Sequence, residues 1–257
     1  HLDVYDAAVA AAPGAMLHPP PASVGDYLRV QARMGTGRAV LVTPSTYGSN
    51  NRPMLDGLAQ LGGHGRGVAV ITGEESDAQL QALQAQGVRG VRVNLSMGVT
   101  NDAASIPRLA ERIEPLGWHL QLLMPDHQLV ELGPMLRDLP VDLVFDHFGR
   151  IAPAGFESNP AYALLLQLLR AGRAWIKLSG GYLVSPRSST DDPGLDALAR
   201  GFIHAAPDRV IWGSDWPHAT ASAGRHPLPD DARQIDRLAH WAGDAQRLRQ
   251  ILVHNPE

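Results

Sequence analysis

The stretch Val210-Ile211-Trp212-Gly213-Ser214-Asp215-Trp216-Pro217-His218 reads as an apolar strand that stops abruptly at a carboxylate held between two tryptophans. Val, Ile and Trp favour a pleated, half-buried surface, and Gly213-Ser214-Asp215 supplies the break. A continuous apolar run, rather than an alternating one, is expected where helices cover both faces of a parallel sheet. A carboxylate at the carboxyl end of such a strand has neighbours that perturb its pKa, which suits proton transfer or metal binding. Because Pro217 follows, Asp215 also has a plainer reading as a turn or capping residue.

Outward from this stretch the same pattern recurs. Strands are expected at His1–Tyr5, Ala39–Ser45, Gly67–Thr72, Val88–Leu95, His119–Met124, Val141–His147, Ala174–Ser179 and Arg209–Ser214. Helical patterns fill the gaps. Ser23-Val24-Gly25-Asp26 has the look of a capping box, and Ser76 opens a second helix that Gly87 closes. Asn159-Pro160 opens Ala161–Arg170 ahead of Gly172, and Pro193 opens Gly194–Ala205. Asp230–Ala242 and a C-terminal Ala245–Val253 complete the set. Alternating strands and helices of this number predict an α/β fold, a distorted (β/α)8 TIM-type barrel forming one domain over residues 1–257. An open doubly wound sheet would carry a glycine-rich phosphate turn after its first strand, and there is none.

The bulk numbers agree with one barrel. The chain has 257 residues, a net charge of −4 and no cysteine. That charge points to neither nucleic acid nor a membrane surface as partner. Without cysteine, disulfides, thiolate metal sites and cysteine nucleophiles are excluded, and a reducing cytoplasm is the expected setting. No apolar run approaches a membrane span, and no signal peptide is visible. The start at His1, inside an expected strand, suggests trimming at both ends relative to the natural protein.

In a barrel, catalytic groups gather at the carboxyl ends of the strands. Those positions hold His1 and Asp3, Ser45 with Tyr47 beyond it, Arg92 and Asn94, Gln121 and Met124, Asp146-His147-Phe148-Gly149-Arg150, Lys177 and Ser179 followed by Tyr182, and Asp215 with His218. His1 and Asp3 share one strand face, as do Lys177 and Ser179. Each also has a structural reading: His147 as a core histidine, Asp146 and Asp215 as caps, Arg92 as an ion-pair partner, Lys177 as a structural cation. His18, in the loop after the first expected strand, lies within reach of the ring.

Several of these stretches together resemble the amidohydrolase superfamily, in its branch of lactone hydrolases that open 2-pyrone-4,6-dicarboxylate. The stretches are His1-Leu2-Asp3-Val4-Tyr5-Asp6, Leu17-His18-Pro19-Pro20, Pro44 to Asn51, Arg89-Gly90-Val91-Arg92-Val93-Asn94, Gly117 to Gln121, Asp146-His147-Phe148-Gly149-Arg150, Lys177-Leu178-Ser179-Gly180 and Trp212 to His218. The resemblance implies a hydrolase that opens a small carboxylated lactone in aromatic catabolism. Asp215 would be the general acid/base that activates water. His147, with His1, would polarise the carbonyl. Arg92, Ser45, Tyr47, Gln121, Tyr182, Arg150 and His218 would bind substrate, with Arg187 a weaker candidate. Alternatives are a metal-dependent amidohydrolase or decarboxylase, a sugar-acid lactone isomerase, and a non-catalytic barrel that binds a small acid. A homo-oligomer is also compatible.

The chain departs from the superfamily pattern in ways that bear on metal. The usual His-x-His of the first strand is His1-Leu2-Asp3 here. The fourth strand has no lysine to bridge two ions, and Gln121 and Met124 stand where a strand-five histidine is expected. The expectation is that no cofactor is required. If one Zn²⁺ or similar ion were bound, its ligands would be His1, Asp3, His147 and Asp215.

Overall fold

The computed structural model describes residues 1–257. Seven parallel strands form one sheet in sequential order: β1 Ala39–Val42, β2 Gly65–Ala69, β3 Val88–Asn94, β4 His119–Leu123, β5 Leu143–Phe145, β6 Ala174–Leu178 and β7 Val210–Trp212. The sequential order, with a helix between every pair of neighbours, is the topology of a barrel.

The expected strand at His1–Tyr5 differs in form. It is reduced to single bridges, in which Leu2 pairs in parallel with both Leu41 and Trp216. The Leu2 amide donates to the Val40 carbonyl, the Val42 amide donates to Leu2, and the Asp3 amide donates to Trp216, each at 2.9 Å. This short segment therefore joins the two edges of the sheet. The chain then turns away, because Tyr5 bridges antiparallel to Ala22. Beyond β7 the backbone also cannot continue as a strand, since Asp215 adopts φ 65°.

The helices follow local chemistry. Val24–Met34 starts on the Ser23–Asp26 capping box and ends on Gly35 in the left-handed region. It buries Val24, Tyr27, Gln31 and Met34, one stripe at helical spacing. Pro160–Arg170 begins at Asn159 and Gly194–Ala205 follows Pro193, as expected. A contiguous core runs between sheet and helices, with Leu2, Leu41, Val91, Leu120, Ile176 and Val210 fully covered. No helix is long and apolar enough to cross a membrane.

Inside the barrel lies a polar layer. Arg92 and Gln121 are register partners on β3 and β4. The Asp146 carboxylate accepts from Lys177 Nζ at 2.7 Å on one oxygen and from Gln121 Nε2 at 2.9 Å on the other. Arg92 Nε stands 3.9 Å from that second oxygen. Arg92 thus faces the barrel and meets an anion, which a buried cation requires.

Candidate active site

The left-handed turn His147-Phe148-Gly149-Arg150 ends β5, with φ of 50°, 56°, 62° and 61° in order. Left-handed backbone costs roughly 1–2 kcal/mol for each residue that carries a Cβ. Phe148 anchors the turn, fully buried and edge-on to Trp241 with centroids 5.8 Å apart. Strain held by packing beside polar groups is a mark of functional sites. Asp215 and His218, at φ 65° and 62°, show the same signature after β7.

These two turns and the first segment bring His1, His147 and Asp215 together. His1 Nε2 lies 3.2 Å from Asp215 Oδ1, and His147 Nε2 lies 3.8 Å from the same oxygen. The Tyr182 hydroxyl donates to Asp215 Oδ2 at 3.1 Å, and Thr220 in turn donates to Tyr182 at 3.3 Å. Ser179 Oγ lies 3.0 Å from His147 Nδ1. If the serine donates there, the proton of a neutral His147 sits on Nε2, the nitrogen that faces Asp215.

The electrostatics separate the two groups. Burial acts to raise Asp215, but the imidazoles of His147 and His1 outweigh it and hold the carboxyl well below the usual range. Burial pushes His147 down to about 4, against the pull of Asp215 and Asp146. At neutral pH the site therefore pairs an ionised carboxylate with a neutral imidazole. Burial, reinforced by the Asp215 charge, pushes the Tyr182 phenol far up, so it remains a donor. Burial raises Asp3 to about 6 despite Arg92 and His1.

The remaining sequence candidates divide. Ser45 and Arg92 line one solvent-open depression of about 260 Å³ with Asn94, Thr100 and Asn101. The Ser45 hydroxyl accepts from Asn94 at 2.8 Å. Arg150 donates to the Leu183 carbonyl at 3.2 Å. Gln121 is engaged with Asp146 beneath the site. The Tyr47 hydroxyl is taken by the Asp6 backbone, accepting from its amide at 2.8 Å. His218 pairs through Nε2 with Asp231 at 3.0 Å. Arg187 and His18 are exposed on loops.

Sequence reasoning placed Ser179 at a strand end without giving it a role, and missed Thr220 as a support and Gly180 and Gly213 as clearances. A Cβ on Gly213 would lie 2.4 Å from His1 Nδ1 and 2.8 Å from the His1 amide nitrogen. A Cβ on Gly180 would lie 2.7 Å from His147 Nδ1. The signal for both was their place within the strand-end stretches. Gly213→Ala is expected to displace His1 and lower kcat/KM about 100-fold. Steady-state kinetics on folded protein would show it, and an unchanged value would mean that His1 tolerates the shift.

The donor set at this point has the chemistry of a metal site. His1, His147 and Asp215 each offer a ligand atom, all within 4.8 Å of one another. Three such donors with an open position suit one divalent ion. Asp3 stands outside that cluster. An ion held there would polarise a carbonyl or lower the pKa of bound water.

Burial also ties stability to pH. His119 and His147 are each depressed to about 4, so both stay neutral in the folded chain while the unfolded chain protonates near 6.5. Stability is then lost as pH falls through that window, and the raised Asp3 offsets part of the loss. Denaturant unfolding at pH 5 is expected to show about 2 kcal/mol less stability than at pH 7. Equal stability at both would contradict buried neutral imidazoles.

Comparison with known proteins shows the family. The amidohydrolase family profile matches residues 4–257. The chain is 32% identical over 255 residues to a 2-pyrone-4,6-dicarboxylate hydrolase of Comamonas testosteroni, covering 95% of this chain and 83% of that one. It is 28% identical over 249 residues to a D-galactarolactone isomerase of Agrobacterium fabrum, covering 96% and 85%. A crystal structure of the probable 2-pyrone-4,6-dicarboxylic acid hydrolase of Acinetobacter baumannii, with citric acid bound, superposes with a TM-score of 0.86 at 30% identity. It covers 100% of this chain and 96% of that one. By the extent of the profile match and the depth of these similarities, the chain belongs to the amidohydrolase family.

Proposed function

We propose that the protein is a hydrolase that opens the lactone ring of a small carboxylated acid, with Asp215 as general base. The observation that carries this reading is the convergence of His1, His147 and Tyr182 on the ionised Asp215. Water attacks the lactone carbonyl and gives its proton to Asp215. His1 and His147 donate hydrogen bonds to the oxyanion, each worth about 3–4 kcal/mol. As His1 turns from Asp215 to the oxyanion, the carboxylate loses a donor and its basicity rises towards the task. The tetrahedral intermediate then collapses, the acyl–oxygen bond of the ring breaks, and the proton on Asp215 passes to the leaving alkoxide. Arg92 holds the substrate carboxylate.

We take this chemistry to need no metal. Asp215 already has Tyr182 on one oxygen and His1 on the other, and no lysine is placed to bridge two ions. The test is ring opening of a lactone panel, including 2-pyrone-4,6-dicarboxylate, with and without chelator. Turnover that persists after chelation is expected. Activity lost on chelation and restored by Zn²⁺ would overturn the metal-free reading, and no turnover at all would overturn the lactonase. Lactone isomerisation, in which a substrate hydroxyl replaces water, is the second reading, favoured by similarity to the Agrobacterium isomerase.

A further inference from the structure

Asp215 and His218 hold strained backbone at φ 65° and 62°, and the His218 amide closes the turn between them on the Asp215 carbonyl at 2.6 Å. Such conformations persist only where the surroundings over-determine them. The helix Asp231–Ala242 supplies contacts that do so. The Asp231 carboxylate accepts from His218 Nε2 at 3.0 Å. The other ring nitrogen, Nδ1, is buried and has no partner in the protein, so Asp231 is the one polar tether on that side chain. Gln234 stands three residues on, over the same helix face. Its Nε2 donates to the Ser214 carbonyl and to Asp231 Oδ1, each at 3.3 Å. Ser214 in turn donates through its hydroxyl to the His1 carbonyl at 3.0 Å. Residues on both sides of Asp215 are thus held from one helix, and His1 rests on the same link.

This pair is not what seats or starts the helix. Leu238 and Trp241 are buried on its packing face. Asp230, not Asp231, caps it, accepting from the Ala232 and Arg233 amides at 3.0 and 3.4 Å. What Asp231 and Gln234 do hold is the turn.

We infer that Asp231 and Gln234 are positioning residues that act through His218 and Ser214 to fix the turn carrying the Asp215 carboxylate. This inference rests on Asp215 as the base of a lactone hydrolase. Neither residue touches the reacting atoms. A reacting group displaced by about 1 Å loses about 10²-fold in rate, so the effect falls on kcat rather than on KM.

Steady-state kinetics and thermal melts of four variants test it, on whichever lactone of the panel, 2-pyrone-4,6-dicarboxylate included, the unmodified protein opens. Asp231→Ala is expected to lower kcat by about 100-fold with KM within about threefold. Gln234→Met, which loses both bonds, should lower kcat by about tenfold. Asp231→Asn keeps an oxygen that accepts from His218 and should recover most of the Asp231→Ala loss. Asp230→Ala removes the helix cap instead, and should lower Tm by about 2–4 °C with kcat unchanged. Normal kcat in folded Asp231→Ala and Gln234→Met proteins would overturn the inference. So would a loss confined to KM, an Asp231→Asn protein as slow as Asp231→Ala, or an equal kcat loss in Asp230→Ala. Failure of both Asp231→Ala and Gln234→Met to fold would also overturn it, because the pair would then hold the fold and not the turn. All of these outcomes leave the lactonase standing. No turnover of any lactone by the unmodified protein would remove the lactone reading itself, and this inference with it.

Discussion

Asp215→Asn is expected to lower ring opening by about 10³-fold or more while the protein stays folded. The substitution is isosteric. Its amide oxygen can still accept from Tyr182 or His1, so the hydrogen-bonded frame around it persists in part. What is lost is the ionised carboxylate that clusters with the two imidazoles, to which the proposed mechanism gives the proton from water. General-base catalysis is worth about 10²–10⁴. Loss of the charge also weakens the stabilisation of any imidazolium formed during turnover, which places the expected effect towards the upper end. The informative pair of measurements is kcat for the variant and its thermal melt. Near-normal kcat in a folded Asp215→Asn protein would contradict the mechanism.

The second large effect is structural. Asp146→Asn is expected to destabilise the fold by about 3–5 kcal/mol, because removing one partner of a buried pair leaves the other charge uncompensated. Here the side chains of Asp146 and Lys177 are only 1% and 4% exposed. Burial acts to raise Asp146, but Lys177, His147, His1 and Arg92 hold it far below the usual carboxylate range. A depressed carboxylate contributes stability that is present in full above its unfolded value of about 4 and is lost as pH falls through its folded value. Urea unfolding should therefore show the full deficit of the variant at neutral pH and a smaller one in strong acid. The double substitution Asp146→Leu with Lys177→Met should recover only part of the loss, since it removes the orphaned Lys177 charge but leaves Arg92 without its carboxylate. A deficit below about 1 kcal/mol in Asp146→Asn would mean that water or a rearranged neighbour already satisfies Lys177.

Much of this architecture is legible from the strand-end pattern. Apolar runs that stop at polar residues located all seven strands of the sheet and placed His1, His147 and Asp215 on one rim. That works because strand direction is shared in a parallel barrel, so carboxyl ends collect on one face whatever the loops do. The first expected strand is the exception. His1–Tyr5 has strand-like composition, but pairing needs neighbours in register, and only Leu2 finds them on both sides. Local propensity cannot report that.

Partner choice was also illegible. Gln121, Tyr47 and His218 have the right chemistry for substrate binding, yet their polar atoms meet Asp146, the Asp6 backbone and Asp231. These partners lie from 13 to 41 residues away in sequence. The shared strand parity of Lys177 and Ser179 was readable, and it put both on one strand face. It could not show that one neutralises Asp146 while the other orients His147. The clearances at Gly180 and Gly213 were hidden for a related reason. A glycine matters through what would occupy its missing side chain, and that neighbour is set by the tertiary fold.

Water activated by Asp215 is expected to open the lactone. The most direct measurement is turnover of the lactone panel in H₂¹⁸O, with product mass read by spectrometry. The expected product is a ring-opened hydroxy acid carrying one ¹⁸O in its new carboxylate, formed by the unmodified protein and not by Asp215→Asn. An unlabelled isomeric lactone would contradict it, because a substrate hydroxyl would then have done the work assigned to water.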